Sequence, residues 1–172
     1  MRPAASRIGS AAFFLAAPGT TAGLIPWVIT GWSMPDDGTL RTASVAVGSA
    51  VVVVGLVPVV DAFVRFARAG GTPMPAAPTE RLVVDGFNRW MRNPMYAGVT
   101  LVIAGQALVF GSWAVLAYAG LFWAVTASFV RWYEEPTLLR TYGEAYRRYR
   151  EAVPAWWPRR RRRSVTTQPN QP

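Results

Sequence analysis

The sequence predicts an all-α protein: a polytopic membrane helical bundle of about four transmembrane helices, followed by a C-terminal amphipathic helix. Three observations lead there. Nearly uncharged apolar runs recur along the 172-residue chain, most of them close to the roughly 20 helical residues that cross a hydrocarbon core. The connections between them are either very short or rich in Gly and Pro. The arginines gather in alternate connections instead of spreading evenly.

Span one is expected from Ile8 to about Trp32, with kinks at Pro18 and Pro26 that neighbouring helices can accommodate. A cleavable signal peptide would begin in a similar way, with Arg2 and Arg7 ahead of an apolar core. The apolar character continues through Leu24-Ile25-Pro26-Trp27-Val28, however, past any cleavage site near Ala16-Ala17. After the turn Met34–Leu40, span two runs from about Thr42 to Phe66, with Gly48 and Gly55 suited to close packing. Asp61 lies near its end, one turn from Arg65. An intramembrane acid is a functional candidate, but a local pair with Arg65 explains this one.

Ala67 to Glu80 reads as a linker, because Gly70-Gly71, Pro73, Pro75 and Pro78 interrupt regular structure. Arg81 to Trp90 resumes with apolar and aromatic residues as an interfacial segment, turning at Gly86. Spans three and four are expected over Pro94–Phe110 and Trp113–Trp132, joined only by Gly111-Ser112. Gly98, Gly105 and Ser112 on the first, and Ala117, Gly120, Ala124 and Ala127 on the second, form small-residue stripes. Such stripes let helices approach closely in lipid, so a tight hairpin is expected. Beyond Pro136, Leu138, Leu139, Tyr142, Tyr146, Tyr149 and Val153 recur at helical spacing among charged residues, the pattern of one amphipathic helix. It would lie on the membrane or cap the mouth of the hairpin.

Composition narrows the chemistry. With no Cys and no His, disulfides, thiolate metal sites, HExxH zinc sites and Ser/His/Asp or Cys/His relays are excluded. All eighteen basic residues are Arg, against nine acids, and the part from Arg140 onward carries +7 of the net +9. That excess points to an anionic partner. Beside Trp156-Trp157, Arg159 to Arg163 suits lipid headgroups, and no nucleic-acid recognition module accompanies it. Arg65, Arg68, Arg81, Arg89 and Arg92 precede span three and the terminal arginines follow span four, whereas the other two connections offer only Arg41. By the positive-inside rule both termini face the cytoplasm.

The candidate site is organised around Arg92-Asn93-Pro94-Met95-Tyr96. Asn before Pro reads as a helix start, whose unpaired N–H groups, with Arg92 alongside, seat an anion. Glu134-Glu135 closes the following run. Folding the two spans back on each other would bring these acids beside Arg92 at the cytoplasmic surface. At a helix C-terminus the dipole disfavours anions, so the acids need compensation, either from a ligand or from an ion pair with Arg131 or Arg92.

Taken together, a Gly86-Phe87 turn, Arg92-Asn93-Pro94-Met95-Tyr96-Ala97-Gly98, the small-residue hairpin, Glu134-Glu135, Leu138, Tyr142-Gly143, Tyr146, Tyr149 and Val153-Pro154 resemble the isoprenylcysteine carboxyl methyltransferases. The pattern is also similar to the related phospholipid N-methyltransferases. It covers roughly Leu82 to Pro158; the first two spans match only in hydropathy. One departure is Asn93, where the eukaryotic enzymes carry His and bacterial relatives often carry Asn. The resemblance implies an integral membrane methyltransferase. Its S-adenosylmethionine would bind at the cytoplasmic side of the hairpin, capped by the C-terminal segment, and a lipid-like or prenylated acceptor would enter between the spans. It further implies catalytic roles for Arg92 and Glu135 and cofactor contacts from Asn93, Tyr96, Glu134 and Tyr146; Asn93 can also be a helix cap, and Tyr146 packing. Transfer to a carboxylate is expected, since it needs no general base; an amine acceptor would need one of the acids.

The organisation implied is a two-span region at 1–66, a cytoplasmic linker and interfacial segment at 67–93, a catalytic hairpin with its capping helix at 94–158, and a basic disordered tail at 159–172. The inner membrane is the expected location, with no metal and no nucleic acid as partner. Two other readings are an NADPH-dependent membrane reductase of the sterol-reductase type and a non-catalytic membrane protein.

Overall fold

The computed structural model describes residues 16–34, 39–68 and 82–158. Residues 8–15 of the expected first span, the acidic pair Asp36-Asp37, most of the Gly/Pro-rich linker and the tail with Arg159 to Arg163 lie outside the described residues. Among the described residues every regular element is helical. A π-helical turn, Thr20–Leu24, leads into α1, Ile25–Thr30; α2 is Thr39–Arg68, α3 is Pro94–Phe110 and α4 is Trp113–Phe129. A second π-helical turn, Val130–Glu134, carries α4 into α5, Glu135–Tyr142, and α6 is Glu144–Ala152.

Two stretches are long and apolar enough to cross a membrane, Leu40–Arg65 and Trp113–Tyr142. Helix α3 is a shorter apolar helix of 17 residues, about 25 Å at 1.5 Å per residue. Much of α2 and α4 faces outward with apolar side chains, among them Val53, Val54, Leu56, Leu121 and Val125. A helix apolar on its outer as well as its inner face suits lipid as its solvent.

The expected irregularity of the first segment takes a defined form. In the π turn the Ile25 N–H bonds back to the Thr20 carbonyl, which deprives the Thr21 carbonyl of its usual donor, and Pro26 has no N–H to offer Ala22. Both carbonyls are satisfied from other helices: the Tyr118 hydroxyl donates to Thr21 at 3.0 Å and the Gln106 amide to Ala22 at 2.7 Å. The core formed there joins Val59, Val99, Ile103, Ala107, Val115 and Ala119, flanked by Ala22, Tyr118 and Phe122.

The glycine pattern corrects the expectation that the small-residue stripes pack α3 against α4. Gly98 and Gly105 face α2, where they meet Gly55 and Gly48. A Cβ on Gly98 would stand 2.5 Å from the Gly55 carbonyl oxygen, and one on Gly105 2.7 Å from that of Gly48. The two pairs are seven residues apart on each helix, so the backbones of α2 and α3 touch along two helical turns. Gly120 on α4 has nothing within 4 Å of such an atom. The α4 stripe therefore takes no part in this packing, and it is the two stripes in register on α2 and α3 that do.

At the far end of α3, Arg41 donates to the carbonyls of Leu108, at 3.2 Å, and Val109. These are among the carbonyls left without helical donors where a helix ends. Gly111, at φ 60°, closes the helix, and the Ser112 hydroxyl caps α4 by accepting from the Val115 N–H at 3.3 Å.

Candidate functional site

The start of α3 and the end of the α4–α5 helix do meet at one end of the bundle. Arg92 forms an ion pair with Glu135 through Nη1 and Oε1, and the same Nη1 donates to the Tyr146 hydroxyl at 3.3 Å. Tyr96, one turn into α3, donates its hydroxyl to Glu134 Oε2 at 3.1 Å. Arg150 on α6 approaches the second oxygen of Glu135 at 3.8 Å. Five of the six expected site residues thus fall in one cluster.

The two acids do not sit at a helix C-terminus, as the sequence suggested. The helix continues through them, because the π turn ends with the Glu135 N–H bonded to the Val130 carbonyl and α5 starts at Glu135 itself. Compensation comes from the side chains around them. Glu135 takes Arg92, the second of the two arginines considered for it, and no ion pair to Arg131 appears among the described residues. The extra residue of the π turn rotates every later side chain about the helix axis, and such turns recur at functional sites.

Asn93 also departs from expectation. It occupies the cap position of α3, but its side chain makes no capping bond. Its Nδ2 instead donates to the Ala155 carbonyl at 3.1 Å, the same oxygen that accepts from the Asn93 backbone N–H at 3.1 Å. The Arg92 N–H bonds the Pro154 carbonyl at 2.9 Å, and Arg92 Nε the Val153 carbonyl at 3.0 Å. Three successive carbonyls of an extended strap after α6 are therefore held by two residues ahead of α3. Both backbone N–H groups immediately ahead of α3 are thus taken by the strap.

The C-terminal region is two helices, not one. Gly143, at φ 54° and ψ −125°, breaks the expected amphipathic helix between α5 and α6, a conformation that favours a residue without Cβ. The break lets α6 turn its apolar face onto the protein: Tyr146 and Val153 are buried, and the Tyr149 hydroxyl donates to the Asn88 carbonyl at 2.6 Å. Of the two placements expected for this region, α6 takes the cap. Burial pushes the Tyr146 and Tyr149 hydroxyls above the ordinary tyrosine range, with the Glu135 charge adding to it for Tyr146. Both remain protonated.

Trp156 sets its ring edge-on to Trp123, centroids 6.1 Å apart, while Trp132 and Trp157 remain largely exposed. Asp61 pairs with Arg65 at 2.9 Å, as expected, and Arg65 extends to Asp85 at 2.8 Å, tying α2 to the 3-10 turn Gly86–Arg89. Gly86 has φ 58°, in keeping with the turn expected there. The contributions of Arg150 and the strap carbonyls leave no trace in the sequence: backbone oxygens carry no residue signature, and Arg150 is one arginine among many. No group of three or more potential metal ligands exists among the described residues.

Fold and site together define a helical membrane protein with a charged, tyrosine-lined cluster at one end of its bundle. Residues 43–145 match the family model described as phospholipid methyltransferase, and the chain belongs to that family. The matched region contains most of α2, α3, α4 and both acids, whereas Tyr146, Arg150 and the strap lie beyond its end. Of the two related groups in the sequence resemblance, the match falls on the phospholipid methyltransferases. A search of curated proteins returned no match.

Proposed function

We propose that the protein transfers a methyl group from S-adenosylmethionine to a lipid-like acceptor, at the cytoplasmic face of the inner membrane, using the cluster of Arg92, Tyr96, Glu134, Glu135 and Tyr146. The observation that carries the proposal is the division of labour between the acids. Glu135 is neutralised by Arg92 and approached by Arg150, whereas Glu134 has a tyrosine hydroxyl as partner and no ion pair among the described residues. The catalytic half is assigned to residues 94–158 together with Arg92 just ahead of them, and both termini are assigned to the cytoplasm, a placement supported by the arginine distribution.

The donor set fits the cofactor. S-adenosylmethionine has a net positive charge, which an uncompensated carboxylate complements, and hydroxyl and amino groups that suit Tyr96, Tyr146 and the acids. When bound it supplies an electrophilic methyl on a sulfonium, whose transfer needs alignment and exclusion of water more than a metal or a His. Tyr96 orients Glu134, and the Arg92–Glu135 pair fixes the start of α3 against α5. Capping by α6 and its strap keeps water from the cluster.

The same geometry shifts the choice of acceptor. A carboxylate, the acceptor expected from sequence, would need a cation, and Arg92 is already balanced by Glu135. An amine-bearing lipid arrives protonated and must lose a proton before it can attack, and Glu134 is the base placed to take it. We therefore favour an amine-bearing lipid. Titrating detergent-purified protein with S-adenosylmethionine and with NADPH tests the cofactor. Saturable binding of the first, weakened in Glu134→Gln protein that stays folded, supports the reading; binding of NADPH alone, or of neither, overturns it. Methyl-labelled lipid extracts then distinguish N- from O-methylated product.

A further inference from the structure

The bonds made by Asn93 have a use beyond packing. Its side chain is buried, lies immediately beside Arg92 in the chain, and commits its amide to the carbonyl of Ala155. Among the described residues the other polar contacts of α6 and its strap converge on the approach to α3 or on Glu135: Arg92 to Val153 and Pro154, Tyr149 to Asn88, Arg150 to Glu135; Trp156 adds an edge-on ring contact to Trp123 of α4. The only covalent link between α6 and the α4–α5 helix is Gly143, and a Cβ there would find nothing within 4 Å. A short helix and strap, pivoting at an uncrowded glycine and closed by hydrogen bonds at the opposite end, is built to open as a unit.

We propose that Asn93 is a positioning residue: its amide latches the Val153–Trp156 strap closed over the Arg92–Glu135 cluster and so sets how long a ligand is retained there. This rests on the proposed cofactor site for the ligand's identity but not for the latch itself. The requirement at position 93 is a donor. A carboxylate of the same shape would present an oxygen to the Ala155 oxygen and repel it, whereas an imidazole N–H can replace the amide donor.

The test uses full-length protein in detergent or nanodiscs and compares Asn93→Asp with Asn93→His. Hydrogen exchange at the Arg92 amide, which bonds the Pro154 carbonyl, reads strap docking without any ligand. Asn93→Asp is expected to accelerate it about tenfold, the effect of losing one good hydrogen bond, while exchange within the α2–α3 core stays unchanged. Asn93→His is expected to restore it. In protein that binds S-adenosylmethionine, dissociation should quicken in Asn93→Asp, with KM raised more than kcat is lowered, and recover in Asn93→His. Unchanged Arg92 exchange in Asn93→Asp, or an Asn93→His protein as defective as Asn93→Asp, overturns the latch. If wild-type protein binds no S-adenosylmethionine, the cofactor assignment fails and the exchange result still decides the latch.

Discussion

Glu134 and Glu135 are neighbours in the chain and part company in space: Glu135 is bound to the guanidinium of Arg92, and Glu134 accepts from the hydroxyl of Tyr96. One acid is occupied by holding the protein together. The other has a neutral hydroxyl for a partner.

That separation predicts opposite signatures for two substitutions. The Arg92 and Glu135 side chains are only 12% and 16% exposed, and removing one member of a mostly buried pair strands the other's charge. Glu135→Ala should therefore lose about 2 kcal/mol of stability, read as a lowered unfolding midpoint. Glu134→Gln keeps the shape and the Tyr96 contact, so it should change stability by less than about 1 kcal/mol while abolishing most methyl transfer. Equal stability losses in the two variants would contradict the division.

The glycine contacts between α2 and α3 make a steric prediction. Gly98→Ala or Gly55→Ala places a methyl group against backbone atoms of the opposing helix at 2.5 to 2.7 Å, which neither helix can yield without moving apart. Each should cost about 1–3 kcal/mol. Gly120→Ala, which meets nothing, should be neutral or slightly stabilising through helix propensity. Unfolding in mixed micelles, measured side by side, checks the contrast.

Arg41 should matter for stability and not for ligand binding. It satisfies carbonyls at the end of α3 remote from Arg92, so Arg41→Met should cost about 1–2 kcal/mol with S-adenosylmethionine affinity preserved. Loss of affinity in folded protein would count against that separation of roles.

Tyr118→Phe removes the donor to the Thr21 carbonyl and leaves it without a helical partner. Side-chain hydrogen bonds within membranes are modest, so about 0.6–1.5 kcal/mol is expected. A loss of that size, together with faster exchange at the Ile25 amide, would show that the π turn depends on α4.

Alkaline pH should loosen the cap. Burial raises Tyr146 and Tyr149 in the folded protein, so their contribution is complete below the ordinary tyrosine value of about 10 and is lost as pH rises above it. The unfolded chain sheds protons there that the folded one retains. Tyr149→Phe protein should show a shallower fall in stability between about pH 9 and 11 than wild type; identical slopes would exclude Tyr149 as a contributor.

The helical class, the apolar segments, the Asp61–Arg65 pair and the meeting of the start of α3 with the two acids were all legible in the order of residues. Local rules are enough for them: hydropathy over a window, spacing of four residues along a helix, and a two-residue connection that forces two segments back on each other. Rotation about helix axes, and backbone atoms with no residue signature, were settled only by packing. Packing turned Gly98 and Gly105 toward α2 instead of α4, and it placed a π turn ahead of Glu135 so that the two acids face different partners. It also gave the Asn93 amide to a carbonyl 62 positions further along the chain. One residue more or fewer in a helical turn changes which neighbour a side chain meets, and that choice is made only when all the helices come together at once.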